Sequence, residues 1–182
     1  MRLSSEKVEK FYNLWLPLVS YANNEGKLSP KLPMLSFGMN IKPADVLPTA
    51  EYIWDNIDVI DRYIDAGKDK LSDEDIDILC DWKQFVRSRF IVERHLKKGS
   101  IFIDAENGEV YQVSGLQSSW EETLSFTSLP VMIETTLLPF DGIIVTDGLL
   151  MASNICFGAS YKRSFKEHYM LMKQNGKIHK SL

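Results

Sequence analysis

The sequence predicts an α+β protein, helical in its first half and built on a small antiparallel sheet in its second. Apolar residues recur at three- and four-residue spacing in the first half, whereas short β-prone runs follow Gly99. Turn-forming dipeptides separate these runs, namely Asn107-Gly108, Asp141-Gly142 and Asp147-Gly148. The predicted organisation is a helical region, 1–98, and a sheet with a C-terminal helix, 99–182, which can form one integrated domain.

Three helices are predicted in the first half. The first covers residues 5–24, with a kink or an early end at Pro17. The second runs from Thr49 to Ala66. The third begins after Ser72, whose hydroxyl caps it, and closes near Lys97-Lys98 before Gly99. The Pro- and Gly-rich stretch from Asn23 to Pro48 is predicted to be a long connection that packs through its apolar residues, among them Leu32, Met34 and Leu35.

Five short strands are predicted in the second half. Ile101–Ile103 and Val110–Val113 form a hairpin around Asn107-Gly108. The two Asp-Gly turns predict a three-stranded meander of Val131–Leu138, Ile143–Thr146 and Leu149–Cys156, so the strands can close into a small barrel or lie as a curved sheet. The last helix starts with a capping box, Ser164 to Glu167, ends at Asn175-Gly176, and docks on the sheet through Phe165, Tyr169 and Met172.

Composition narrows the class of protein. The chain has 182 residues, 45% hydrophobic and 25% charged, so it can bury a core. A formal net charge of −4 argues against a dedicated nucleic-acid-binding or membrane-surface protein. Neither a signal peptide nor an apolar run long enough to span a membrane is visible. Two cysteines fit a reducing compartment, so the expected location is cytoplasmic.

The segment from Asp45 to Asp81 is strongly acidic, with twelve acids against three bases, a net −9. A calcium loop starting at Asp65 fails, because Lys70 occupies the position that needs glycine and Ile76 the one that needs glutamate. We favour the interpretation that this segment forms two helices whose acidic faces are exposed to water. Some of the acids lie in the first turn of a helix, where the positive end of the helix dipole favours them.

Basic residues gather in two other segments, 82–98 and 160–182, each with a net +5. If both segments meet on one surface, they form a phosphate-binding patch for nucleic acid, with stacking from Tyr111, Trp120, Phe157 and Tyr161. The alternative, which we favour, is that these cations pair with the acidic helices, either within one chain or across a dimer. The candidate nucleic-acid-binding residues are Arg87, Arg89, Arg94, Lys162, Arg163 and Lys166.

Catalytic and metal chemistry have little support in the sequence. The three histidines have no metal-ligand spacing, and Cys80 and Cys156 are interpreted as small core residues. Asp141 and Asp147 precede glycines and are interpreted as turn formers rather than as a carboxylate pair. No catalytic residue, metal ion or cofactor is therefore predicted.

The string Leu137-Leu138-Pro139-Phe140-Asp141-Gly142-Ile143-Ile144-Val145-Thr146-Asp147-Gly148-Leu149 resembles a group of uncharacterised bacterial proteins with an "LLPF-x-G-x-I-x-x-DGL" segment near the C-terminus. The resemblance covers the last third of the chain, and more loosely Glu109–Tyr111. It implies a bacterial cytoplasmic origin, and it does not indicate any particular activity. Some similar chains end in a cysteine-rich zinc-binding tail. This chain ends Lys177–Leu182 without cysteine, so no zinc is carried over.

The sequence therefore favours a non-enzymatic interaction module that binds a protein partner or forms a homo-oligomer. Charge asymmetry between the acidic and basic segments suits such association. The first alternative is a nucleic-acid-binding protein that uses the basic segments 82–98 and 160–182. The second is an enzyme of unrecognised type, which would be indicated by a deep pocket that gathers polar groups. No membrane partner is expected.

Overall fold

The computed structural model describes residues 1–30, 32, 35–39 and 41–182, and it confirms the α+β prediction. The chain divides into two compact units. We call residues 5–84 the helical unit, and residues 1–4 with 85–182 the barrel unit. The boundary lies between Gln84 and Phe85, rather than at the predicted 98/99, because the strand after Phe85 belongs to the barrel.

The helical unit contains α1 (Ser5–Gly26), α2 (Pro43–Asp55), α3 (Val59–Gly67) and α4 (Asp73–Asp81), followed by a 3₁₀ turn, Trp82–Gln84. Helix α1 continues past Pro17, so the predicted early end there is wrong. The predicted helix 49–66 is two helices, because Asn56 leaves the helical backbone and its N–H caps α2 on the carbonyls of Tyr52 and Ile53.

Aromatic residues form the centre of the helical unit. The rings of Trp15 and Trp54 stack at 5.3 Å between centroids, and Trp82 packs edge-on against Trp15 at 5.9 Å. In the predicted long connection, Leu32 and Leu35 are buried, while Met34 lies outside the described residues.

Helix α4 is capped as predicted, since Ser72 and Asp75 form a capping box, but it ends at Asp81. The predicted continuation to Lys98 is wrong: residues Val86–Leu96 form strand β1. This strand pairs with one neighbour through residues 86–92 and with another through residues 90–96. These long-range backbone hydrogen bonds outweigh the local helical pattern.

The other barrel strands are β2 (Gly99–Asp104), β3 (Val110–Val113), β4 (Val131–Phe140) and β5 (Ile143–Thr146), with a short helix α5 (Trp120–Thr123) between β3 and β4. They follow the order β1-β2-β3-β5-β4, and β4 also pairs with β1, which closes the barrel. The β3–β5 contact is parallel and the other four are antiparallel. The prediction of a hairpin around Asn107-Gly108 is confirmed.

Strand β6 (Met151–Ala152) corrects the predicted meander. It pairs with β4 at Ile133 and Glu134 rather than with β5. The barrel unit ends with α6 (Ala159–Gln174) and β7 (Ile178–His179). Helix α6 begins after Gly158, more than a turn before the predicted start at Ser164, so Ser164 lies inside the helix instead of capping it.

Two apolar clusters stabilise the barrel unit. Side chains that point inward, such as Phe90, Phe102 and Leu137, fill the barrel interior. Alternate residues of the same strands point outward and form a second cluster with Tyr169 of α6. The first residues of the chain are attached to this unit as well, because the N–H of Leu3 donates to the carbonyl oxygen of Gly115 at 3.1 Å.

His95 on β1 gives the barrel a predicted dependence on pH. Its Nδ1 lies 2.7 Å from Ser100 Oγ, and burial lowers the pKa of the imidazole below its usual 6.5. The amino terminus lowers this pKa further, while Glu121 opposes the shift. A folded-state pKa below the unfolded one means that the stabilisation is complete above about pH 6.5 and is lost as the pH falls below it.

We therefore expect hydrogen exchange of β2, corrected for intrinsic rates, to accelerate as the pH falls from about 7 to about 5.5. The variant His95→Gln should remove this part of the pH dependence. Equal pH slopes in the wild type and the variant would contradict the assignment.

Candidate interaction site

Helix α6 covers the outer face of the barrel. Its residues Phe165, Tyr169 and Met172 pack over Ile91, Ile101, Ile103 and Val110, the outward-pointing residues of β1, β2 and β3. Five-stranded Greek-key barrels of the OB-fold type bind oligonucleotides on the face of their second and third strands. In this protein α6 covers the outward face of β2 and β3. The helix therefore docks on the sheet, as its apolar residues predicted.

Polar contacts at several points also attach the C-terminal segment to the barrel. The Nε2–H of His168 donates to the carbonyl oxygen of Gly108 at 2.6 Å, and His179 Nε2 bonds Glu109 Oε2 at 2.7 Å. The guanidinium carbon of Arg94 lies 4.4 Å from the centroid of the Tyr169 ring, a cation–π contact. The hydrogen bonds of Arg94 with Glu93 raise the pKa of the guanidinium and offset its charge.

The six predicted nucleic-acid-binding residues lie on two elements, three on β1 and three on α6. Arg87 and Arg89 lie on β1 opposite Thr136 and Glu134, and Arg89 also lies 4.0 Å from Glu106. Arg94 packs under α6, Lys162 lines a cleft, and Arg163 and Lys166 lie on the side of α6 away from the barrel. Arg94 of the first basic segment thus contacts the second segment at Tyr169, and its charge is paired with Glu93.

The four predicted stacking residues also differ in their exposure to solvent. Tyr111 and Trp120 are buried in the barrel core, so they are not available to stack on bases. Phe157 is half-buried, and Tyr161 is 62% exposed. The aromatic platform expected from the sequence is thus reduced to these two residues at the start of α6.

A cleft of about 400 Å³ lies on the barrel unit, within the usual size range of ligand-binding clefts. One wall is the loop before β4 and the other is the segment from β6 to α6. The lining residues are Phe126, Thr127, Ser128, Pro130, Val131, residues 152–157 and Lys162. Phe126 and Ile155 are 72% and 49% exposed, so the cleft presents apolar side chains to solvent.

The second wall of this cleft has free backbone groups. Strand β6 pairs with β4, and the N–H of Ser153 donates to Met132 at 2.9 Å. Among the described residues, no backbone hydrogen bond is made by residues 154–157. Unpaired N–H and C=O groups beside a strand can pair with another extended chain.

Lys162 supplies the only charge in the described lining of the cleft. Cys156 lies in the wall, and it and Cys80 are free thiols exposed to solvent, so the interpretation of both as core residues is wrong. The sequence did not indicate Phe126, Ile155 or the polar lining residues as a site. Ile155 was assigned to the strand predicted over Leu149–Cys156, whereas strand β6 covers Met151–Ala152 and leaves Ile155 in the irregular wall of the cleft.

The acidic candidates lie in turns, where Asp141 is exposed and Asp147 is buried. Asp141 and Asp147 lie at opposite ends of β5, and Asp147 Oδ1 accepts a hydrogen bond from the Leu149 N–H at 3.0 Å. Within the described part of the chain, no group of three or more His, Cys, Asp or Glu side chains is placed to hold a metal ion. No helix in that part is long and apolar enough to cross a membrane.

Comparison with protein-family models, curated proteins and solved structures finds no match to this chain.

Proposed function

We propose that this protein is a non-enzymatic interaction module of the bacterial cytoplasm that binds an extended, acidic segment of a protein partner in the cleft. The observation that carries the proposal is the row of unpaired backbone groups at residues 154–157 along one wall. Two exposed thiols suit a reducing compartment, and the "LLPF-x-G" resemblance supports the bacterial origin.

The mode of binding that we propose is strand addition. An extended segment that pairs with residues 154–157 continues the sheet beyond β6 and satisfies the backbone groups there. An apolar side chain of the partner packs between Phe126 and Ile155, which removes exposed apolar area from water. A carboxylate of the partner pairs with Lys162, the one charge of the lining.

Nucleic-acid binding remains the second candidate. It is favoured by Tyr161, Lys162, Arg163 and Lys166, an exposed aromatic ring and three cations within two turns of α6. Two observations stand against it: α6 covers the barrel face, and Tyr111 and Trp120 are buried. A protein segment in the cleft requires no rearrangement of α6.

The test is photocrosslinking in bacterial cells, with benzoylphenylalanine in place of Ile155 in the cleft wall. We expect a discrete protein adduct that survives nuclease treatment and decreases by about tenfold when Lys162→Glu is added, because the reversed charge repels the partner's carboxylate. The matched control places the same residue at Leu96, which is 37% exposed on β1. Equal adducts at both positions, or none at position 155, would refute the proposal, and a nuclease-sensitive adduct would favour nucleic acid.

A further inference from the structure

Helix α6 has two faces. Phe165, Tyr169 and Met172, spaced by four and three residues, pack on the barrel. On the opposite side the spacing repeats, with Arg163 and Lys166 followed by Met170 and Leu171. Met170 and Leu171 are 38% and 54% exposed. We call these four residues the outer face of α6.

The outer face forms a shallow groove of about 510 Å³ that also includes Glu167 and Gln174. Met170 and Leu171 thus expose an apolar patch among charged and polar side chains on the side of α6 opposite the barrel, which suits contact with a second neighbour. Because Arg163 and Lys166 lie beside Met170 and Leu171, the second neighbour should present acidic side chains around a small apolar patch.

Helix α4 in the helical unit has that pattern. Glu74, Asp77 and Asp81 are exposed on one side of it, around the half-buried Ile78, at spacings of three and four residues. Glu74 pairs with Lys10. Among the described residues, neither Asp77 nor Asp81 forms an ion pair. The acids of α4 and the cations of α6 thus have complementary charge, and each set lies on one side of its helix.

We propose that the outer face of α6 in one molecule docks on α4 of a second copy of this chain. Both surfaces are exposed to solvent, and each carries charges that the other complements. Met170 and Leu171 of one copy pack beside Ile78 of the other, and Arg163 and Lys166 face Asp77 and Asp81. The site is distinct from the cleft, so the second copy and the partner segment do not compete for it.

Two different surfaces meet in this contact, so the association is heterologous, and it continues head-to-tail unless the rotation closes a ring. Its ion pairs are exposed to solvent, which makes it weak and sensitive to salt. Self-association should therefore increase with protein concentration and decrease as the ionic strength is raised.

The experiment is sedimentation velocity of the full chain over a range of protein concentrations at low and high salt. We expect Arg163→Glu with Lys166→Glu, and separately Asp77→Lys with Asp81→Lys, to weaken self-association by more than about tenfold. An equimolar mixture of the two double variants should restore it, because each reversed surface then meets a complementary one. This rescue also shows that both variants are folded.

The matched control is Lys177→Glu with Lys180→Glu, which changes the net charge equally on exposed residues outside the outer face. It should leave self-association within about twofold of the wild type. A wild type that is monomeric at every concentration at low salt would overturn the proposal, and so would a mixture that fails to associate. Crosslinking at position 155, repeated with Asp77→Lys and Asp81→Lys, tests the cleft separately, since those changes lie outside it.

Discussion

Replacing Phe102 by alanine should destabilise the barrel unit more than any other single change considered for this protein. The ring is fully buried on β2, packs edge-on against Trp120 at 4.9 Å between centroids, and contacts Phe90. Deleting a buried phenylalanine leaves a cavity and removes its transfer free energy, at a cost of about 3–5 kcal/mol. For a domain of ordinary stability this is a large share of the free energy of unfolding.

Hydrogen exchange measured by mass spectrometry is the appropriate method, because it reports on each unit separately. Peptides that cover 99–113 should exchange roughly a hundredfold to a few thousandfold faster in Phe102→Ala, while peptides from α1 change little. The control is Phe126→Ala, which deletes the same side chain where it is 72% exposed and should alter exchange in β2 by less than about twofold. Similar effects of the two variants would show that Phe102 is not part of the core.

Replacing Tyr169 by alanine should release α6 from the barrel without unfolding the barrel itself. Tyr169 is the only fully buried residue of this helix, and it is the residue that Arg94 and Lys173 approach. Its loss removes the central contact of the second apolar cluster, at a cost of about 3 kcal/mol. The remaining contacts of α6 involve half-buried side chains, so the undocked form becomes populated.

Limited trypsin digestion measures this release, because Lys162, Arg163 and Lys166 lie in the first half of α6. Cleavage after these residues should accelerate on the order of a hundredfold in Tyr169→Ala, since a protease cuts the undocked helix. Tyr161→Ala is the matched control, because that ring is 62% exposed. If both variants are cleaved at the wild-type rate, α6 is held by contacts other than Tyr169.

The sequence was sufficient where local chemistry decides the structure. The capping box at Ser72, the turn at Asn107-Gly108 and the stop at Asn175-Gly176 follow from hydrogen bonds between near neighbours. The docking residues of α6 were predictable for the same reason, because a helix places Phe165 and Tyr169 on one face wherever it begins.

Strand β1 was missed because its conformation depends on distant partners. Phe85, Val86 and Phe90 also fit a helical face, and only pairing with residues 131–137 and 99–104 decides between the two. The structure therefore places Arg87, Arg89 and Arg94 on a strand instead of the predicted helix, with Arg94 against Tyr169 of α6. A small barrel was one of the two predicted arrangements, but the pairing of β1 with β4 that closes it was not predictable, because β1 was assigned to a helix.

The cleft could not be predicted from the sequence for a related reason. Its walls come from two irregular segments, around Phe126 and Ile155, with no periodicity to mark which side chains are exposed. They become neighbours only because β6 pairs with β4. Sites assembled from loops in this way depend on the complete fold.

The attachment of Leu3 to Gly115 has a practical consequence for dissecting this protein. Since residues 1–4 and 85–182 form one unit, the helical unit is an insertion that interrupts the barrel's chain, with a covalent connection at each end. One cut between Gln84 and Phe85 therefore does not separate the two units into intact pieces. An intact barrel fragment is obtained by deleting residues 5–84 and joining residue 4 to residue 85. A fragment that starts at Phe85 lacks the segment that pairs with Gly115.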